Sequence, residues 1–425
     1  MSDTNTIIVG AGMAGMTCAL ELKKAGVPYT LISPNIGGRV MYLKEYDMNF
    51  GAVFYMGRYT HARELLSPGK LVLPSFFDLE CHKTLSKGYG VLSGKVIATL
   101  PQLLKFFKYL TKTFQPAYGQ FKADCEVMEV SAAMEKNPYI GELFAMPAED
   151  LITQVGFAKA ADAVVSQFVY ACTGTKIALL NALDYLNCAQ GMIDESTRFS
   201  FDPEATRELL AEGGRVIMGE VAQVEKLAAS GDASGTDAAP DTGTAPDDAA
   251  VPEDAAAVTS TPSDATPRWR VTTTTDGETI TAQNLVMAAP ADVTQRLLQP
   301  VIGSYEIRKP SELHAYKVRG EIKSDYAGHP LHLFDQSIPL INIGARPDGA
   351  YEVFTCEPLD MGIFFKTYTI EHQVDWPKAL FTNPALLIDQ CVGDGLYRAG
   401  DHNALGMEPA AISGLFVANK ILGKA

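Results

Sequence analysis

The chain opens on a short unbroken apolar run, Thr6-Ile7-Ile8-Val9. The run is β-branched, the pattern of a strand buried on both faces. It passes through Gly10-Ala11-Gly12-Met13-Ala14-Gly15 into a helical period, with Ala19, Leu20 and Leu22 apolar and Glu21, Lys23 and Lys24 polar. Gly26 closes that helix, and Tyr29-Thr30-Leu31-Ile32 predicts a second strand. Strand, glycine turn, helix and strand in this order start a βαβ unit that binds a dinucleotide. Gly10 permits the tight turn, Gly12 lets the backbone approach a pyrophosphate, and Gly15 lets the helix pack close to the strand. Ala14 stands in the same first turn, whose free N–H groups and partial positive charge suit phosphate.

Beyond this start the pattern changes twice. Residues 60–199 read as mainly helical and 301–379 as strand-rich, while 200–300 and 380–425 return to alternating strand and helix signals. The division expected is a nucleotide-binding domain built from 1–59, 200–300 and 380–425, with a substrate domain built from 60–199 and 301–379. The fold class is α/β, a doubly wound domain assembled from discontinuous segments with an inserted α+β domain. Val221 to Leu227 and Trp269 to Thr275 read as two sides of a hairpin. Between them, 229–266 holds eight acidic residues, no Lys or Arg, and almost nothing bulky. Such a stretch buries too little apolar surface to offset its chain entropy, so a disordered loop is expected at the hairpin tip. In 101–112, Lys105, Lys108 and Lys112 fall on one face of an apolar helix. That face suits a membrane surface or the mouth of a hydrophobic channel; an ordinary core helix with its lysines in water fits the same spacing.

Composition narrows the classes. The 425 residues carry a formal charge of −15, from 35 Lys+Arg against 50 Asp+Glu, which disfavours general nucleic-acid binding. Seven cysteines, none in a CxxC pair, read as reduced thiols. No apolar run is long enough to span a bilayer and no cleavable leader is evident, so a soluble, cytoplasmic protein is expected.

Further motifs point to a family. Ile36-Gly37-Gly38-Arg39-Val40 is followed by Asp47-Met48-Asn49-Phe50-Gly51-Ala52. Gly213 to Val224, Asn284 to Pro290, Gly395 to Asp401 and Gly406 to Gly414 add four separated stretches. Together they resemble the FAD-dependent amine oxidase and phytoene desaturase superfamily. The resemblance implies FAD, with Gly38 and Arg39 along its pyrophosphate and the backbone of Gly51 and Ala52 near the isoalloxazine. It implies that the Val221 backbone meets the adenine and that Asp401, after Gly400, accepts a ribityl hydroxyl. The helix N-terminus at Met407 would face the flavin pyrimidine carbonyl. One position departs from the pattern: Ser33 stands where an acidic residue is expected to bind the adenosine ribose. A serine offers one hydrogen bond there, not the paired contact of a carboxylate.

The chemistry this implies is hydride exchange between the flavin N5 and a hydrophobic small molecule, of the desaturase type. Amine oxidation is the nearest alternative. It resembles the first in its site but places an aromatic wall where this chain has Gly406 after Leu405, although Trp376 could supply another wall. Flavin-dependent double-bond isomerisation, and an FAD-binding scaffold without catalysis, stay open beside it. No catalytic acid or base is assigned. His329 and His332 lie close in sequence, but no third ligand is evident and a strand surface explains them, so no metal is expected. His402, directly after Asp401, borders the flavin or is a turn residue.

Overall fold

A computed structural model describes residues 2–72, 76–86, 88–227 and 268–425. The acidic stretch 229–266 lies outside them. Its flanks are described: Val221–Lys226 pairs antiparallel with Trp269–Thr273, and Lys226 stands opposite Trp269.

The first strand, Ser2–Ala11, is central to an eight-stranded sheet. Tyr29–Ile36 and then Gly214–Met218 lie parallel on one side of it, and Thr279–Met287 lies parallel on the other. The free edge of Thr279–Met287 is shared: its first half pairs with Trp269–Thr273 and its second half with Leu396–Arg398. Successive side chains face opposite ways along a strand. Ile8, Leu31 and Val286 accordingly meet the helices Met13–Lys24 and Met407–Ile421 on one face. Ile7, Val9, Ile32, Leu285 and Met287 meet the helix Ala291–Ile302 on the other. Burial on both faces is why the opening run is apolar without alternation.

A second sheet of seven strands follows the order Phe365–Asn383, Lys309–Ile322, Ala350–Thr355, Leu340–Ala345, Leu331–Phe334, Leu79–His82 and Tyr89–Gly90. All its neighbours are antiparallel except Leu331–Phe334 with Leu79–His82. Helices between Gly94 and Ala189 cover it through one apolar core that includes Leu79, Phe106, Phe157, Leu183 and Leu333. In the stretch 101–112, Leu103, Phe106 and Leu110 are buried, whereas Lys105, Lys108 and Lys112 are exposed. Among the described residues no helix is long and apolar enough to cross a membrane.

The two ends of the chain are joined by the first and last helices. A Cβ on Gly414 would lie 2.1 Å from the Ala14 carbonyl oxygen, so the backbones touch there. Gly414→Ala should force the helices apart and cost about 2 kcal/mol, the scale of an overpacked core. Equilibrium urea denaturation would read this as a lowered midpoint at unchanged slope.

Candidate active site

Every parallel strand of the central sheet ends on the same side, and the residues singled out in the sequence gather there. The glycine turn is tightly determined. Gly10 has φ +104°, and a Cβ on it would meet the Ala288 carbonyl oxygen at 2.6 Å. A Cβ on Gly15 would lie 1.9 Å from the Gly10 oxygen. Gly12 differs: it caps Met13–Lys24 without any side-chain hydrogen bond, and nothing lies within 4 Å of its Cβ direction. The first N–H groups of that helix therefore have no side-chain cap, and the space before them is open. The second turn docks on the first. Gly37 donates its N–H to the Ala11 oxygen at 2.8 Å, and the Cβ direction of Gly38 points at the Gly12 Cα from 3.1 Å.

Arg39 follows and ties three segments together. Its carbonyl accepts the Ala52 N–H at 2.9 Å, and a Cβ on Gly51 would lie 2.1 Å from that oxygen. Its guanidinium donates to the Ala379 carbonyl at 3.0 Å and to Asp401 at 2.7 Å. Trp376 donates its indole N–H to the Phe50 carbonyl at 2.7 Å and packs its ring against Gly51. Burial by itself would raise the Asp401 carboxyl. The Arg39 charge and hydrogen bond hold it below the usual carboxylate range. Burial pushes the neighbouring His402 imidazole down to about 4 against the pull of Asp401, and its Nε2 has no partner among the described residues.

The loop from Gly400 to Gly406 is held partly by residues the sequence did not single out. Gly400 donates its N–H to the Ser413 hydroxyl at 3.1 Å. Asp184 accepts the Leu405 N–H at 3.0 Å while paired with Arg308 at 3.1 Å, both side chains being fully buried. Asn187 donates to the Leu405 carbonyl at 2.8 Å. Gly406, at φ +122°, caps the final helix without a side-chain bond, and Met407 opens it half-buried. Glu408 turns inward and accepts the N–H groups of Thr60, His61 and Ala62 and the Thr60 hydroxyl. Glu408 and Ser413 had a local signal, since both lie inside the C-terminal motif. Asp184, Asn187 and Arg308 are isolated polar residues whose role depends on tertiary placement.

Further along the strand ends stand Ser33 and Val221. Ser33 is beside Met218, its carbonyl accepts the Gly219 N–H at 2.9 Å, and Val221 is buried two residues further on. The Ser33 hydroxyl donates to the Asn35 carbonyl at 2.7 Å, so its proton is engaged within its own turn. The histidines need a correction. His332 is not on a strand surface but buried, because Leu79–His82, in a region read as helical, pairs alongside it. A cleft of about 310 Å³ bordered by Lys83, Glu149, Asp162 and Gln336 shares no residue with the glycine turns.

Residues 8–67 match the model of the NAD(P)-binding Rossmann-like domain. No curated protein matches the chain in sequence. Among solved structures, wild-type putrescine oxidase bound to putrescine is similar at 13% identity over 99% of each chain, with a TM-score of 0.59. Reduced UDP-galactopyranose mutase is similar at 12% identity over 99% of this chain and 94% of its own, with a TM-score of 0.53. An oxidoreductase from Methanosarcina mazei is similar at 12% identity over 96% of this chain and 98% of its own, with a TM-score of 0.52. The α/β architecture is thus one shared with these proteins along the whole chain. The resemblance to the FAD-dependent amine oxidase superfamily holds at the level of the fold.

The Arg39–Asp401 pair generates a pH-dependent expectation. A carboxyl depressed on folding stabilises above its unfolded pKa, and the contribution is lost as pH falls through the folded value. Asp401→Asn should cost about 1 kcal/mol at neutral pH, Arg39 being partly open to solvent. The gap from the parent protein should close as pH drops below the carboxylate range, measured by chemical denaturation across pH.

Proposed function

We propose that this chain is an FAD-dependent oxidoreductase that exchanges a hydride with a hydrophobic small molecule. One observation carries the reading. Arg39 and Asp401, 362 positions apart, come within 2.7 Å at the strand ends, on the side where the uncapped Met13–Lys24 helix opens. Phosphate oxygens and a ribityl chain need this set of donors and acceptors. The residues present fit the cofactor: the open cradle before Gly12 would admit a pyrophosphate, and a Cβ at Gly10 or Gly15 would block the turn that shapes it.

Gly10, Gly12, Ala14, Gly15 and Gly38 would hold the pyrophosphate by backbone contacts, with Arg39 as the charged donor. Asp401, after Gly400, would accept from the ribityl chain. Val221 and Ser33 would border the adenosine, and Gly51, Ala52 and the Met407 N-terminus the ring system. When bound, FAD supplies the hydride acceptor. The chain's own contribution is position and field. The uncapped helix at Gly406 directs its dipole at negative charge, and the buried Glu408 fixes that helix to 60–62. His402, held neutral above about pH 4, adds no cation beside Asp401 at neutral pH.

The apolar-substrate reading is supported by the surroundings of Gly406, where none of the three atoms nearest its Cβ direction among the described residues belongs to the face of an aromatic ring. Trp376 packs against Gly51, Gly406 has no side chain, and the aromatic beside it, Tyr59, approaches the Gly406 Cβ direction with its hydroxyl at 3.8 Å. Amine oxidation is the second reading, supported by the fold likeness to putrescine oxidase. The exposed Leu92, Ile97, Leu100 and Leu104 near Lys95, Lys105 and Lys108 support a peripheral membrane contact through 101–112, which would give an apolar substrate its source.

The test is a visible spectrum of the purified protein followed by anaerobic titration. A flavin spectrum bleached by a polyene and not by putrescine supports the first reading, and the reverse supports the second. A colourless protein that takes up no added FAD overturns both, and flavin that no substrate reduces leaves a scaffold or an isomerase without net redox change. Asp401→Ala should weaken FAD retention at least about tenfold, the value of a lost charge-assisted hydrogen bond. Ser33→Ala should change it by no more than about twofold, because that hydroxyl already serves Asn35.

A further inference from the structure

A second cluster of chemistry-bearing side chains lies in the other sheet. Glu80 and His82 are two residues apart on Leu79–His82, so both point to one face while Cys81 points to the other. The parallel neighbour Leu331–Phe334 places His332 directly across from Glu80. All three side chains are buried, and their ligand atoms lie within 4.8 Å of one another.

We propose that Glu80, His82 and His332 bind a divalent transition-metal ion of the zinc type, joining two strands 250 positions apart. The spacing fits. His82 Nε2 and His332 Nδ1 are 3.0 Å apart, and His332 Nδ1 and Glu80 Oε2 are 3.3 Å apart. Metal–ligand bonds of roughly 2.0–2.1 Å in a tetrahedron separate neighbouring ligands by about 3.3 Å. The tautomer of His82 fits as well, whereas His332 Nε2 has no partner among the described residues. His82 Nδ1 is 2.8 Å from the Ser86 carbonyl, which accepts the ring proton and leaves the Nε2 lone pair facing the cluster. Metal-bound histidines are held in this way.

Charge and packing agree. Glu80 is a buried carboxylate with no Lys or Arg within ion-pair distance among the described residues, its contact being His332. A buried anion between two imidazoles is costly unless a cation compensates it. Phe334 stacks on His82 at 4.6 Å and Tyr326 flanks both rings, so the surroundings are aromatic. Gly88 closes the loop over the cluster: a Cβ there would lie 2.7 Å from Glu80 Cγ and His82 Cε1. Two imidazoles and one carboxylate suit zinc and its first-row neighbours better than calcium or magnesium. Water would complete the shell.

The experiment uses the full chain stripped with a chelator, then loaded with Zn²⁺ and passed through gel filtration. One equivalent of retained zinc is expected, with a thermal midpoint that rises with free Zn²⁺. Glu80→Gln and His332→Asn should each weaken retention about tenfold or more and abolish the rise. A folded parent chain that retains no zinc, or variants that retain as much as the parent, would overturn the proposal. Should the variants fail to fold, Co²⁺ in the parent chain decides. Intense tetrahedral bands without thiolate charge transfer support the site; a six-coordinate or thiolate spectrum sinks it. None of these readouts depends on flavin.

Discussion

The contact between Ala14 and Gly414 is the constraint from which the site follows. Two helices from opposite ends of the chain meet with no side chain between them, and both lie on one face of the central sheet. With the last helix seated there, the strand Leu396–Arg398 finds the free edge of Thr279–Met287, and the turn after it delivers Asp401 to Arg39. A larger residue at position 414 would displace the final helix, and with it the acidic partner of the arginine.

The nucleotide half of the site was legible because its signals are local. Gly15 is required by a backbone contact within its own turn and Gly12 by an open approach, while Gly10 has φ +104° and is also closed on by Ala288, just past the neighbouring strand. Gly37, with φ +103°, and Gly38, with φ +58°, likewise occupy backbone conformations that favour glycine. Ser33 was read as a departure, but not as a residue whose hydroxyl closes a turn onto Asn35. That bond depends on the strand continuing to Ile36, past the point where its apolar run ends.

The rest was not legible for a common reason. Leu79–His82 is a four-residue strand inside a helical region, too short to show a period, and it exists because Leu331–Phe334 offers it an edge. Asp184 and Arg308 are buried together from segments with no sequence relation. Pattern reading finds elements that specify themselves; it cannot find those specified by a neighbour. The helix containing Leu103 and Phe106 shows the opposite case: one spacing fits a core face and a membrane face equally, and burial of the apolar side does not remove the leucines left outside.

One strand, Phe365–Asn383, deserves a mechanical reading. It runs along the edge of the second sheet for most of its length, then supplies Trp376 to Gly51 and the Ala379 carbonyl to Arg39. Sheet and crevice are thus connected by continuous extended backbone rather than by a hinge. A clamshell motion of one against the other would have to break the Trp376–Phe50 and Arg39–Ala379 hydrogen bonds while the strand stays paired with Lys309–Ile322. While those bonds hold, traffic into and out of the site would rely on side chains and short loops swinging aside. The rate at which product leaves would then be set by small local barriers, not by the opening of whole lobes.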